Sequence, residues 1–307
     1  MASDINIENK SFKDCSRKIK VLSILIALLP RGRGAVPRAI GKLFRSQFTN
    51  TYVLTRHGVK MVVTPEALDC FTTMANSNWA FDYWVFDTCA VLMPEGGTFY
   101  DIGANVGYIS LEMSQLKSDG RRVVSFEPQG ALVKNLRLSC KLSGIENIDV
   151  LKTCVGEVSR EVYFTLERHS IHAHVDYSEK PTNYRATEVA QMVALDDLVR
   201  GGDLPVPDVI KIDVEGYEFN VLQGAKSVIE MYQPHIVFEL SEATPKFGWC
   251  ASDFFDLLST IGNYTFEYAI GSYRDPQIIN DLDAFDREFS KNPRLTNILA
   301  RSSSRPH

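Results

Sequence analysis

Five acids in this sequence stand where a β-strand would release the chain, a position from which a carboxylate can hold hydroxyls, bind an ammonium group or take up a proton. Two of them, Asp213 and Glu215 in VIKIDVEGYE, are two residues apart and follow Ile210 and Ile212. In an extended segment such residues project to one side, and a carboxylate on a buried-type strand needs a partner or a ligand. A hydroxyl held there would lose its proton to one acid while the other orients it. Glu215 is the first choice of base and Asp213 the anchor. Glu239 closes HIVFEL and offers a third acid for the same mouth.

The other two acids belong to a different task. In FYDIGANVGYIS, Asp101 ends a strand, and Gly103 and Gly107 flank a turn into a helix, where the missing Cβ lets backbone approach a ligand. A dinucleotide fingerprint would need glycine at positions held by Asn105 and Tyr108, and no G-K-[ST] follows for a phosphate loop. The turn therefore suits an amino acid or nucleoside moiety without a pyrophosphate, and Asp101 suits a cationic amino group. Glu127 in VVSFEPQ closes the next strand ahead of Pro128, which stops the ladder. An acid in that place can accept hydrogen bonds from both hydroxyls of a ribose.

These residues need a scaffold, and the texture from Gly97 onward supplies one. TFYDIG, RRVVSFEP, IDVLKTCV, VIKIDVEG, HIVFEL and TFEYAI read as strands, with helices over Val106–Leu116, Ala131–Leu142, Glu218–Glu230 and Ser252–Ile261. Alternation of this kind builds βαβ units, and continuous Val/Ile runs fit strands covered on both faces. The expected class is α/β, a doubly wound sheet with ligands at the carboxyl ends of its strands. Residues 1–95 read as an extension or cover: a helix over Lys10–Leu29, a hairpin around His57-Gly58, and a helix over Asn78–Met93. Residues 96–301 form the main domain, and 302–307 read as a disordered tail.

Composition narrows the partners. A net charge of -5 argues against a strongly basic nucleic-acid binder and toward a small-molecule or carbohydrate partner. The six cysteines are scattered, without C-x-x-C or zinc spacing, so no metal is expected and the thiols read as reduced, in keeping with a cytoplasmic protein. The apolar run Val21–Leu29 is too short to span a bilayer and lies between basic stretches. It reads as a surface or packing helix, with a signal peptide or a peripheral membrane anchor as the alternative. In RHSIHAHVDYS, His169, His172 and His174 share a polar loop; without a third ligand the pair His172 and His174 points to acceptor recognition instead of metal. Trp249, just beyond the Glu239 strand, offers a face for an acceptor to stack on, whereas Trp84 reads as core.

Taken together, DIGANVGY, SFEP and IKIDVEGYEFNVLQGA resemble the FkbM family of S-adenosylmethionine-dependent methyltransferases, over roughly Phe99–Leu240. The resemblance implies a Rossmann-like, doubly wound, seven-stranded methyltransferase sheet with one antiparallel strand, here behind an N-terminal helical and β-hairpin extension. It also implies bound S-adenosyl-L-methionine and O-methylation of a hydroxyl on a glycan or small metabolite. Carried over by position, Asp101, Gly103, Asn105, Gly107 and Tyr108 would surround the methionyl end, with Asp213 also on the cofactor. Glu127 and Pro128 would meet the ribose, and Val155 would flank the adenine. Two other readings stand beside it: a nicotinamide-dependent oxidoreductase, which the asparagine at 105 disfavours, and a non-catalytic cofactor-binding or membrane-docking scaffold.

Overall fold

The computed structural model describes residues 12–29, 34–77, 82–116, 120–166, 173–176, 187–270 and 276–305. Its central sheet is built from β1 (Thr98–Ile102), β2 (Arg122–Phe126), β3 (Ile148–Leu151), β4 (Val209–Ile212), β5 (His235–Leu240), β6 (Tyr264–Ile270), β7 (Gln277–Ile278) and β8 (Thr296–Ser302). The spatial order is β7-β6-β8-β5-β4-β1-β2-β3. Strands β1 to β5 run parallel, and β8 is antiparallel to both β5 and β6. The chain winds outward in one direction from β1 to β3 and in the other from β4, so β1 and β4 flank the point where strand order reverses. Seven strands were expected; the eighth is the two-residue edge β7, antiparallel to β6.

Side-chain alternation along the strands splits the core in two. Phe99, Val123, Val209 and Val237 join one apolar cluster, shared with Ile19, Phe71 and Trp84 of the first 95 residues and with Leu111 and Leu136 of the helices over Tyr108–Met113 and Gly130–Ser143. Tyr100, Val124, Ile210 and Ile236 join the other, with Leu195, Leu222, Phe254 and Leu258. The N-terminal segment thus covers one face of the sheet and shares its core. Its hairpin, Thr51–Leu54 against Lys60–Val62, is pinned to the Gly130–Ser143 helix by Ser139 and Ser143, whose hydroxyls accept from Val62 N at 2.9 Å and Lys60 N at 3.0 Å.

Three expectations need correction. IDVLKTCV is not one strand: β3 ends at Leu151, and Cys154–Val155 crosses into a second sheet with Thr187–Val193, Arg160–Leu166 and Ala173–Asp176. The helix expected over Glu218–Glu230 is two, Glu218–Gln223 and Lys226–Tyr232. Gly224 sits at the break, where a Cβ would fall 1.9 Å from the Gly156 carbonyl oxygen, so backbone is packed against backbone there. The tail is also ordered as far as Arg305: Ser302 belongs to β8, and the Arg305 guanidinium pairs with Asp208 and donates to the Tyr232 carbonyl.

Candidate active site

The carboxyl ends of β1, β2 and β4 open into one crevice. Its floor and walls come from Ile102–Gly103 and Asn105, Phe126–Gln129, Thr153–Val155, and Asp213–Glu215 with Tyr217. Of the residues singled out in the sequence, Gly103, Asn105, Glu127, Pro128, Val155, Asp213 and Glu215 are brought together here.

Glu127 is the best-braced of these. It follows the last residue of β2 and is 4% exposed, with Oε2 accepting from Asn105 N at 2.9 Å and Oε1 from Gln129 N at 2.8 Å. Burial pushes its pKa up to about 7, against the opposing pull of these backbone hydrogen bonds. Each oxygen keeps a further lone pair for a donor from the crevice. Asn105 holds the neighbouring turn in the left-handed region, at φ 54°, a conformation asparagine adopts more readily than most residues. Its side-chain Oδ1 is buried and has no hydrogen-bond partner, a cost that a donor on a ligand would remove.

Asp101 does not reach the crevice. It is fully buried beneath the turn, where Oδ1 accepts from Lys211 Nζ at 3.0 Å and Oδ2 from Ser110 Oγ at 2.5 Å, with Ser125 Oγ donating in turn to Ser110 at 2.7 Å. The cation expected from a ligand is supplied by the protein itself. Lys211 was missed in the sequence because it lies between Ile210 and Ile212; a lysine in a buried strand in register with an aspartate is the signal that would have found it. Its ammonium also donates to the Gly103 carbonyl at 3.3 Å and stands 3.5 Å from Asp213 Oδ2. Burial alone would lower the Lys211 pKa, but Asp101 and Asp213 hold it above the usual lysine range, so the ammonium stays charged.

At both glycines the missing Cβ makes room for neighbouring protein atoms. At Gly103, φ +80°, a Cβ would sit 1.8 Å from the Asp213 carbonyl oxygen; at Gly107, φ +84°, it would strike Leu136 at 2.3 Å. Gly107 and Tyr108 do not line the crevice, and Tyr108 is buried in the core cluster at the start of its helix.

Asp213 and Glu215 do face one crevice, though for a different reason from the one the spacing suggested. Strand β4 stops at Ile212, and the chain turns through Glu215 at φ 59° and Gly216 at φ 103°. Glu218 fastens this turn: its Oε1 accepts from Val214 N at 2.9 Å and Gly216 N at 3.1 Å, while its buried Oε2 has no partner. A non-glycine residue at positive φ persists only where its surroundings enforce it. Burial, then the nearby Glu215 and Asp101 carboxylates, raise the Asp213 pKa against the pull of Lys211. Tyr217, also on the wall, donates to Glu157 Oε2 at 2.5 Å.

Glu239 lies next door and not in the same space. It lines a separate, very small hollow with Asp82, Lys211 and Asn297, and Asp213 borders both. Burial, reinforced by Asp213 and Glu218, holds the Glu239 carboxyl well above the usual carboxylate range. Trp249 is elsewhere: its ring packs 4.2 Å from Phe219 and its Nε1 donates to Asn220 Oδ1 at 3.1 Å, so it serves the core beside the Glu218–Gln223 helix and not the crevice. His169 and His172 lie outside the described residues; His174 falls in the Ala173–Asp176 strand, opposite Thr165, and not in a loop. Thr153, Cys154, Gln129 and Tyr217 are wall residues that sequence reasoning did not single out. Among the described residues no group of three or more His, Cys, Asp or Glu side chains is placed to hold a metal ion.

Residues 101–268, more than half of the chain, match the family model described as the methyltransferase FkbM domain. Solved structures similar to this chain include the methyltransferase FkbM from Methylobacillus flagellatus, at 14% identity and a TM-score of 0.44, covering 77% of this chain and 54% of that one. The chain therefore spans about half the length of that protein. A SAM-dependent methyltransferase from Aquifex aeolicus aligns at 12% identity and a TM-score of 0.39, over 71% of this chain and 88% of that one. A SAM-dependent O-methyltransferase from Thermotoga maritima aligns at 10% identity and a TM-score of 0.40, over 74% and 66%. No curated protein matches the sequence.

Proposed function

The chain belongs to the FkbM methyltransferase family, which draws its methyl group from S-adenosylmethionine, and on that premise we propose that it methylates a hydroxyl oxygen of a small metabolite or glycan. When bound, S-adenosylmethionine supplies an electrophilic methyl group on sulfur. The observation that supports the reading is the orphaned acceptor Asn105 Oδ1 beside the twice-braced Glu127, one without a donor and the other with lone pairs to spare, in one crevice that a nucleoside-linked amino acid would supply with donors. Glu127 takes the ribose hydroxyls and Asn105 Oδ1 accepts from the ammonium group. Ile102, Phe126 and Val155 provide the apolar surface for a base.

On the other wall, Glu215 takes the proton from the acceptor hydroxyl, which raises the nucleophilicity of its oxygen as the new bond forms. Asp213, held beside Lys211, orients that hydroxyl, and positioning of this kind supplies much of the rate of a displacement between two bound partners. Glu239, whose pKa is raised by burial, borders the adjoining hollow and stands behind Glu215 as the further acid that can orient the acceptor. A cytoplasmic location accords with the reading, since all six cysteines are free thiols.

Calorimetry and a transfer assay test the assignment separately. Glu127→Ala should weaken S-adenosylmethionine binding by about 1 to 3 kcal/mol, the cost of lost hydrogen bonds to a charged group. Glu215→Gln should leave binding nearly intact and slow transfer of labelled methyl to a panel of hydroxylated sugars and metabolites by roughly 10²- to 10⁴-fold. Unchanged affinity in the first variant, or undiminished transfer in the second, removes that residue from its role.

A further inference from the structure

The Ser16–Ala27 helix packs against the Leu68–Asn76 helix through a face that includes Ile19, Ser23 and Ile26, and leaves its opposite face bare. On that bare face Val21, Ile24, Leu25 and Leu28 are 52%, 52%, 58% and 76% exposed. Their spacing of i, i+3, i+4 and i+7 makes one continuous apolar stripe. The adjoining Ala35–Leu43 helix, in contact with the first, adds Leu43 at 79% and Phe44 at 50%. Two neighbouring helices thus present large apolar side chains where a globular surface ordinarily scatters them singly.

Charge identifies what covers them. Between Lys10 and Arg45 the sequence has ten Lys or Arg residues and one acid, Asp14, in a chain whose net charge is -5. Arg17, Lys18 and Lys42 are exposed on the same two helices as the apolar side chains. An apolar stripe edged with cations matches an anionic bilayer surface, in which acyl chains receive the leucines and isoleucines and lipid phosphates receive the lysines and arginines. A second copy of the chain fits poorly, because two such faces would bring like charges together. Among the described residues no helix is long and apolar enough to cross a membrane. The first helix, 12 residues long, extends about 18 Å, well short of a hydrocarbon core of about 30 Å, so it can only lie along the interface.

We propose that the Ser16–Ala27 and Ala35–Leu43 helices form a peripheral docking surface that seats the protein on anionic membranes, with the Ser16–Ala27 helix lying in the plane of the interface. The test is co-sedimentation of the full chain with vesicles of phosphatidylcholine alone or with about 30 mol% phosphatidylserine. The wild type should partition at least about tenfold more strongly into the anionic vesicles, and salt should weaken this. Ile24→Glu with Leu28→Glu should lower partitioning by about tenfold or more, as should Arg17→Glu with Lys18→Glu. All four positions are exposed, so thermal melting and cofactor affinity should match the wild type; Leu28→Gln is the milder substitute if the double change melts early. Slower amide exchange across Val21–Leu28 on adding anionic vesicles would support the same contact. No binding to anionic vesicles overturns the proposal, as does equal partitioning by the Ile24/Leu28 variant. So does a wild-type dimer in sedimentation velocity that this variant dissolves, which would assign the face to self-association.

Discussion

Replacing Glu218 with glutamine should flatten the dependence of stability on pH. Glu218 is 1% exposed, one of its oxygens fastens the Val214–Gly216 turn, and burial raises its pKa from the ordinary 4.5 to about 7. The folded state therefore holds the proton more tightly than the unfolded chain. Below pH 4.5 the residue is protonated in both states and its burial carries no ionic penalty; from there to about 7 the unfolded chain ionises first, and stability falls as pH rises. At about 1.4 kcal/mol for each pH unit over which the two states differ, the loss approaches about 3 kcal/mol by pH 8. Glutamine keeps the carbonyl that accepts from Val214 and Gly216 but cannot ionise. Urea unfolding of both proteins at about pH 5 and about pH 8 yields the variant's stability relative to wild type at each, and this difference should rise by about 2 to 3 kcal/mol toward the variant on going to the higher pH. Comparing the two differences cancels the other titrating groups that both proteins share. A relative stability that is constant within about 0.5 kcal/mol, or that moves the other way, refutes the claim that Glu218 is buried and proton-hungry in the native state.

Two further perturbations test the frame beneath the crevice. Lys211→Met should cost about 3 to 5 kcal/mol, because it strands Asp101 in the core, and adding Asp101→Asn should restore a good part of that; denaturant titration of the single and double variants measures both. Gly103→Ala should cost roughly 2 to 5 kcal/mol by the same titration, combining left-handed strain with a Cβ driven into the Asp213 carbonyl, whereas Gly144→Ala, at φ +67° with open space around it, should lose only about 1 kcal/mol.

The alternation of strands with helices was legible because runs such as RVVSF, VIKI and HIVFEL are short, rich in β-branched residues, and close beside an acid or a turn, whereas TNILARS carries no such mark. Glu127 could be placed at a strand mouth because Pro128 marks where the ladder stops. The second sheet was not legible as such: it begins inside IDVLKTCV, where only Lys152 and Thr153, without a glycine or proline, separate the residues that pair in one sheet from those that pair in the other. The tail was misread because Ser and Arg are common in disorder, while the anchor of Arg305 is Asp208, far away in sequence. Asp101 shows a deeper difficulty. A carboxylate at a strand end has the same local sequence whether its partner is a ligand or a lysine, and only the register of β1 against β4, set by long-range pairing, places Lys211 opposite it. For Asp213 and Glu215 the shared crevice was anticipated by extended geometry, yet it arises from a left-handed turn held by Glu218, a residue assigned only to the following helix.

The contact between Gly103 and the Asp213 carbonyl links two jobs mechanically. The loop after β1 and the loop that bears Asp213 and Glu215 are keyed together through backbone atoms, so neither can shift without dragging its neighbour. On the proposed reading, a change in which molecule receives the methyl group is accommodated by exchanging side chains along the crevice wall, while this keyed pair of loops stays as it is.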